Sequence, residues 1–206
     1  MKTKQKVFML LDRSGSMCSM WDETLSGVNS YVKKLSSDAM GAEIMLASFD
    51  SEEYEVHRNC KLSDWKPLNK DEVYPRSWTP LLDSAGRMIH NMIDSQVDRA
   101  ILVVITDGYE NKSSKFTASE IKNMTSHIQN VKKYEVVFLG ANFDGIADVA
   151  KQNFGIDNNS KYMHASVAGF GLAMNATATG SANYFNTGDL VGAFYNEIDK
   201  KNAAQK

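Results

Sequence analysis

The sequence has little of what zinc-binding and disulfide-stabilised proteins need. It contains two cysteines, Cys18 and Cys60, and their spacing matches no zinc or redox motif. The four histidines are scattered along the chain at positions 57, 90, 127 and 164, which argues against a zinc cluster. The spacing does not show whether the two cysteines pair, and free thiols in a reducing compartment are the expectation.

No charge of one sign dominates the sequence. Lysine and arginine number 23 against 25 aspartate and glutamate residues, for a formal net charge of −2. Proteins that bind nucleic acid usually carry a basic patch or stripe. The composition therefore argues against nucleic acid as the partner.

Long hydrophobic runs are also missing. No segment approaches the roughly 20 apolar residues that a helix needs to span a bilayer. The basic start "MKTKQK" leads into a short apolar run that ends at Asp12 without the small-residue cleavage site of a signal peptide. We therefore expect a cytoplasmic protein without a membrane segment.

The chain has no internal repeat and no low-complexity linker. Its 206 residues, 43% of them hydrophobic and 23% charged, are ordinary for one globular domain. We predict a single domain over residues 1–200, with a core at about 5–165 and a C-terminal helical extension at about 167–200. Residues 201–206 are predicted to be a flexible tail.

What the sequence does contain is an alternation of strand and helix patterns. Apolar runs predict strands at 6–11, 43–49, 53–57, 99–106, 134–140 and 162–165. Apolar residues three and four apart, with capping signals, predict helices at 21–37, 79–96, 117–131, 144–155, 167–176 and 189–201. The second and third strands suit an antiparallel hairpin, and 58–78 is predicted to be a long loop. The predicted fold class is α/β, a doubly wound and mostly parallel sheet with one antiparallel strand and helices on both faces.

Three polar turns carry oxygen donors at the ends of these elements. The stretch "DRSGSM" follows the first strand and places Asp12, Ser14 and Ser16 in one loop, "SWTPLLD" contains Thr79, and "VVITDGYEN" contains Asp107. If the strands at 6–11 and 99–106 are neighbours, both aspartates emerge at the carboxyl edge of the sheet, where doubly wound sheets bind ligands. Five oxygen donors then converge, and small divalent cations prefer oxygen ligands.

Each of these turns also has a simpler interpretation. Asp12, Ser14 and Gly15 are ordinary turn formers, and Thr79 before a proline is a good helix N-cap. Asp107 followed by glycine is a common exit from a strand. The occurrence of all three turns in this order favours a metal site over three independent turns.

The order Asp-x-Ser-x-Ser, a distant Thr and a distant Asp resembles the metal-ion-dependent adhesion site (MIDAS) of the von Willebrand factor A (VWA) family. The resemblance extends over roughly residues 5–165. The stretch "FLGANFDGIADVAKQNFGI" at 138–156 is similar to the later strand–helix unit of stand-alone microbial and phage-type members. The resemblance implies a Rossmann-like sheet whose antiparallel strand lies at an edge.

The resemblance also implies a ligand set and a function. The metal would be Mg²⁺, with Mn²⁺ or Ca²⁺ as alternatives; Ser14 and Ser16 would bind it directly and Thr79 directly or through water. Asp12 and Asp107 would hold waters and orient the hydroxyls. Since the direct ligands are largely neutral, the ion would stay positive enough to accept an Asp or Glu carboxylate from a partner protein. This describes an interaction module without catalysis, with an AAA-type ATPase or a host factor as candidate partners.

Other functions stay open on the sequence alone. A Mg²⁺-dependent phosphohydrolase of the haloacid dehalogenase type also has an Asp after its first strand, but it needs an acid two residues later, where Ser14 stands. RNA binding occurs among intracellular relatives, and the net charge gives it little support.

Apolar and aromatic residues near the motifs suggest a partner-binding rim: Met17, Cys18, Met20, Trp21, Trp65, Trp78 and Tyr109. Met20 and Trp21 are more typical of a core. Glu110 could be an acid that supports the metal site, but an exposed loop charge is the more typical role.

Overall fold

A computed structural model describes residues 3–189 and 194–205. Six strands form one sheet in the order β3-β2-β1-β4-β5-β6. Strand β3 runs antiparallel to β2, and the other neighbouring pairs are parallel. The strands are β1 (Gln5–Asp12), β2 (Glu43–Phe49), β3 (Tyr54–Lys61), β4 (Arg99–Thr106), β5 (Glu135–Ala141) and β6 (Tyr162–Ala165). The predicted α/β class, with its antiparallel strand at the edge, is confirmed.

Helices cover both faces of the sheet. One face carries α1 (Trp21–Asp38), α5 (Phe170–Thr187) and α6 (Glu197–Ala203). The other carries α2 (Leu81–Asp94), α3 (Ala118–Asn130) and α4 (Ile146–Phe154). No helix in the described ranges combines the length and the apolar character needed to cross a membrane.

The continuous apolar run of β1 explains why this strand is central. Val7, Met9 and Leu11 enter the layer beneath α1 and α5, whereas Phe8 and Leu10 enter the layer beneath α2, α3 and α4. Alternate residues of a strand point to opposite faces, so a strand covered on both sides has to be apolar throughout. Neighbouring β4 follows the same rule, with every residue from Ala100 to Thr106 buried.

Several local predictions are confirmed. The side chain of Thr117 caps α3 by accepting a hydrogen bond from the Glu120 amide, and the Glu120 carboxylate accepts one from the Thr117 amide in return. Helix α4 ends at Gly155, which adopts a left-handed conformation with φ +71°. Both cysteines are free thiols, Cys18 exposed and Cys60 partly buried.

The predicted end of the hairpin was wrong. Strand β3 continues to Lys61, past the predicted end at His57. His57 is the extra residue of a β-bulge, since Val56 and Arg58 on either side of it pair with Ala47 and Leu46. A bulge shifts the alternation of a strand by one residue, which hides the second half of the strand from a periodicity search.

The helix boundaries also needed correction. Helix α2 is shorter than predicted, and Pro80 precedes its first residue, Leu81. Helix α5 is much longer than the predicted 167–176. Its second half is rich in Ala, Thr, Ser and Gly and shows little apolar periodicity, so the sequence pattern did not predict it. It packs closely on α1, where a side chain at Gly27 would meet the Phe170 ring at 2.7 Å.

The C-terminal segment departs from its prediction as well. The predicted helix at 189–201 is observed only as α6, and residues 190–193 lie outside the described ranges. The predicted flexible tail is wrong for 201–203, since α6 continues to Ala203. Ala203 is buried, and its carbonyl accepts a hydrogen bond of 2.9 Å from the Ser166 amide, so α6 is tied to the end of β6.

Burial of His57 makes stability depend on pH. Its side chain is 4% exposed, and its Nε2 lies 2.7 Å from the Ser48 hydroxyl. Burial lowers the pKa of His57 below its usual value, against an opposing effect of the Glu55 charge. The unfolded chain takes up this proton at about pH 6.5, whereas the folded protein does so only at lower pH.

We therefore predict that the advantage in unfolding free energy of wild type over His57→Gln shrinks as the pH falls from about 7 to 5. Urea unfolding at several pH values measures it. The exposed Asn123→Ala, which changes no ionisable group, is the control, and its difference from wild type should stay constant. A His57→Gln difference that is flat, or that grows on acidification, would contradict the prediction.

Candidate metal centre

The parallel pairing of β1 with β4 places two aspartates side by side. Asp12 is the last residue of β1 and is fully buried, and Asp107 follows the last residue of β4. Thr106 donates a hydrogen bond of 2.6 Å from its hydroxyl to Asp12 Oδ2. The strand order reverses between these two strands, which is where doubly wound sheets bind ligands.

A chain of hydrogen bonds joins four of the five predicted donors. Asp12 Oδ1 accepts a bond of 2.7 Å from the Ser14 amide, and the Ser14 and Ser16 hydroxyls lie 3.2 Å apart. Ser16 then donates its hydroxyl to Asp107 Oδ1 at 2.7 Å. Ser14 is buried and Ser16 is exposed, so the chain leads from the interior to the surface. Their role as metal ligands stays a prediction.

Thr79 reaches the same edge through its backbone. Its amide donates to Asn111 Oδ1 at 2.9 Å, and its carbonyl accepts from the Asn111 amide at 3.1 Å. Two residues earlier, the Ser77 carbonyl accepts a bond of 3.1 Å from the Gly15 amide of the DRSGSM loop. No hydrogen bond within the described ranges joins the Thr79 hydroxyl to the other four predicted residues. Thr79 is not the N-cap of α2, because Pro80 holds that position.

The electrostatics of the two aspartates favour a cation. Burial raises the pKa of Asp12 to about 7, in spite of hydrogen bonds from Thr106 and Ser14, and the charge of Asp107 adds to the rise. Burial also raises the pKa of Asp107, against the hydrogen bond from Ser16. Two neighbouring carboxylates in a poorly solvated place repel each other, and a bound cation would relieve that repulsion.

The donor set fits a hard divalent cation. Within the described ranges no ion pair joins a Lys or Arg side chain to Asp12 or Asp107, and Arg13 is directed to Asp50, Glu53 and Glu55 instead. No three His, Cys, Asp or Glu side chains of the same ranges are grouped to hold a metal. A metal here would therefore depend on hydroxyl oxygens beside the carboxylates. Mg²⁺ accepts oxygen ligands of this kind and keeps several waters.

Glu110 is a structural residue that the sequence interpretation missed. The prediction of an exposed loop charge is wrong for Glu110. Its carboxylate accepts four hydrogen bonds, from the amides of Lys112, Ser113 and Leu82 and from the Ser113 hydroxyl, at 2.6–2.9 Å. Glu110 thereby fastens the loop after β4 to the first turn of α2.

Asp83 makes the reciprocal connection. Its carboxylate accepts hydrogen bonds from the amides of Ser114, Lys115 and Phe116 at 2.8–3.1 Å. Burial opposes ionisation, but these amides outweigh it and lower the pKa of Asp83. The position of Asp83 in the first turn of α2 was the only feature of the sequence that indicated a structural role. It did not identify the amides that Asp83 accepts, which lie about 30 positions away.

The predicted rim divides into core and surface. Met17, Met20 and Trp21 are buried in the layer beneath α1 and α5, and Trp65 is partly buried. Trp78 is 61% exposed and Tyr109 is 53% exposed. The Tyr109 ring packs edge-on against Phe143, with centroids 4.9 Å apart. Trp78 adjoins Thr79 and Tyr109 lies two residues after Asp107, so two exposed aromatic residues are close in the sequence to the candidate ligands.

We predict that Glu110→Ala lowers the free energy of unfolding by about 1–3 kcal/mol, because it leaves several amides near α2 without their acceptor. Urea unfolding measures the loss. Glu197→Ala, which removes an 86% exposed carboxylate on α6, is the control and should change stability by less than about 0.5 kcal/mol. Equal effects of the two substitutions would contradict the assigned role of Glu110.

No protein-family model matches the sequence, and no curated protein sequence matches it. Solved structures do match the fold. The von Willebrand factor domain of the type V pili tip protein Mfa5 from Porphyromonas gingivalis has a TM-score of 0.69 at 13% identity, covering 93% of this chain and 99% of that one.

Two further structures are similar. The pilus adhesin SpaC from Lactobacillus rhamnosus GG has a TM-score of 0.70 at 13% identity; the match covers 89% of this chain but only 30% of SpaC. The manganese-loaded TRAP protein of Plasmodium vivax has a TM-score of 0.54 at 13% identity, covering 80% of this chain and 69% of that one. Identities this low show the fold alone. The chain has the α/β fold of von Willebrand factor type A domains.

Proposed function

We propose that the protein is a metal-ion-dependent protein-interaction module of the adhesion type. The observation that carries the proposal is the hydrogen-bonded chain from Asp12 through Ser14 and Ser16 to Asp107, at the point where the strand order reverses. The manganese-loaded TRAP protein, which shares the fold, supports a divalent metal. The pilus tip protein and the pilus adhesin support a role in binding.

The proposed ion is Mg²⁺, with Mn²⁺ or Ca²⁺ as alternatives. Ser14, Ser16 and Thr79 offer hydroxyl oxygens to it, and Asp12 and Asp107 orient those hydroxyls and hold waters. When bound, the ion supplies a positive centre that a carboxylate from another protein can coordinate. The partner is therefore one that presents an Asp or Glu side chain; an AAA-type ATPase or a host factor stays a prediction, as does a cytoplasmic location.

The surroundings of the centre support binding over catalysis. Glu110, the acid nearest to Asp107 along the chain, has both carboxylate oxygens engaged in hydrogen bonds that hold the fold. The exposed rings of Trp78 and Tyr109 are of the residue types enriched in protein interfaces. We propose that these rings contact the protein whose carboxylate reaches the metal.

We predict that Mg²⁺ or Mn²⁺ raises the melting temperature. At a concentration 100 times the dissociation constant the stabilisation is about 2.7 kcal/mol, or roughly 5–10 °C for a domain of this size. Differential scanning fluorimetry against EDTA measures it. Asp107→Ala should abolish the shift, because it removes a carboxylate of the centre.

Asp94→Ala is the matched control for that measurement. Asp94 is exposed at the C-terminal end of α2, and its loss should leave the shift unchanged. A wild-type protein whose melting temperature ignores both cations would contradict the proposal, as would an Asp107→Ala variant that keeps the full shift.

We also predict that proteins captured from host lysate by the immobilised chain are released by EDTA. Asp107→Ala should capture none of them, and Trp78→Ala should capture less while its metal-induced shift stays intact. Quantitative mass spectrometry of the eluates measures this. Capture that EDTA leaves unchanged would contradict recognition through the metal.

Turnover of a phosphate ester that is lost in Asp12→Asn would favour the phosphohydrolase instead.

A further inference from the structure

The residue between Asp12 and Ser14 is tied to a different part of the sheet. Arg13 is 3% exposed, and its Nε donates to Asp50 Oδ2 at 2.8 Å. Its two terminal nitrogens reach Glu55 at 3.1 Å and Glu53 at 3.3 Å. These carboxylates belong to β3 and to the turn that joins β2 to β3. The side chain of Arg13 thus connects the DRSGSM loop to the edge hairpin.

Asp50 is the centre of this connection. Its side chain is completely buried, and its Oδ2 accepts a second hydrogen bond of 2.8 Å from Nε of Arg76. Its Oδ1 accepts the amides of Glu52 and Glu53 at 2.6 and 2.9 Å. Burial opposes ionisation of Asp50, but the hydrogen bonds from Arg76 and the two amides, with the charge of Arg13, lower its pKa. The carboxylate therefore stays ionised at neutral pH.

The two guanidinium groups lead to two different loops of the candidate centre. Arg13 lies in the loop of Ser14 and Ser16, and Arg76 lies three residues before Thr79. The backbones meet at the same place, because the Arg76 amide donates to the Arg13 carbonyl at 2.8 Å. Ser51, which follows Asp50 in the turn between β2 and β3, shares a hydrogen bond between its hydroxyl and the Ser77 hydroxyl.

We propose that Asp50 is a positioning residue, which sets the affinity of the centre for its metal by holding the loop of Ser14 and Ser16 against the loop of Thr79. Within residues 3–189 and 194–205, the Asp50 carboxylate makes its hydrogen bonds to Arg13, Arg76, Glu52 and Glu53 and none to the five candidate ligands, so it acts through the two arginines. The inference rests on the proposed function, since it needs a metal to be bound there. Residues that orient metal ligands typically change metal affinity 10–100-fold, roughly, when they are replaced.

Asp50→Asn is the sharpest test, since it keeps an oxygen for the Glu52 and Glu53 amides but turns an NH₂ group toward Arg13 and Arg76. Mn²⁺ binding to the full chain is measured by the loss of the free-ion electron paramagnetic resonance signal, at a temperature where every variant is folded. We expect Asp50→Asn to weaken Mn²⁺ binding about 10–100-fold.

Two controls separate positioning from plain stability. Glu53→Gln removes a carboxylate that contacts the same arginines but is 52% exposed, and it should change Mn²⁺ affinity about three-fold or less. Ile128→Val destabilises the buried core beneath α3, far along the chain from the motif, and should lower the melting temperature without changing Mn²⁺ affinity. Should Asp50→Asn fail to fold, Arg76→Lys replaces it, because lysine keeps the charge but loses the planar fork.

The outcomes distinguish the two proposals. A wild-type chain that binds no Mn²⁺ overturns the proposed function, and the positioning role falls with it. If the wild type binds Mn²⁺ and Asp50→Asn, or Arg76→Lys in its place, changes the Mn²⁺ affinity by less than about three-fold, the positioning role alone is overturned. An affinity loss that Ile128→Val reproduces at an equal loss of melting temperature also overturns it. Selective loss in the Asp50 or Arg76 variant supports it.

Discussion

The parallel pairing of β1 with β4 is the constraint on which the rest of the candidate centre depends. Leu11 lies opposite Ile105 in the register, so both strands end together and Asp12 comes into contact with Thr106. A one-residue shift would exchange the side chains of β1 between the two buried layers, so that Phe8 and Leu10 would lie beneath α1 and α5. The packing of the core therefore fixes the relative position of Asp12 and Asp107, and the loops add the hydroxyls.

Two polar networks hold those loops in place. On the hairpin side, Arg13 and Arg76 meet at the buried carboxylate of Asp50. On the side of α2, Glu110 and Asp83 fasten the loop after β4 to the start of the helix. Such networks cost desolvation, which their many hydrogen bonds offset. Ser16 and the rings of Trp78 and Tyr109 are exposed to solvent.

The parts of the fold that follow from local pattern were predictable from the sequence. The apolar runs of β1 and β4 identified buried parallel strands, and the capping residues Thr117 and Glu120 identified the start of α3. The candidate donors could be named because a strand end fixes where the next residue emerges. The bulge at His57 and the small residues of α5 hid the rest of two elements.

The supporting residues could not be predicted from the sequence for a different reason. Asp50 contacts Arg13 and Arg76, which lie 37 and 26 positions away, and Glu110 contacts Leu82 at 28 positions. No periodicity or spacing rule connects residues that meet only in the folded chain. Arg13 stands at a position that the Asp-x-Ser-x-Ser pattern leaves free, so the motif itself gives no reason to examine it.

The central claim is that a divalent cation binds among the hydroxyls and carboxylates that follow β1 and β4. Anomalous scattering from a crystal grown with Mn²⁺ tests it most directly. The account predicts a peak within roughly 2.0–2.6 Å of the Ser14 and Ser16 hydroxyl oxygens, the range for hard cations and oxygen. Well-ordered loops without a peak there, or a peak confined to another part of the molecule, would contradict the account.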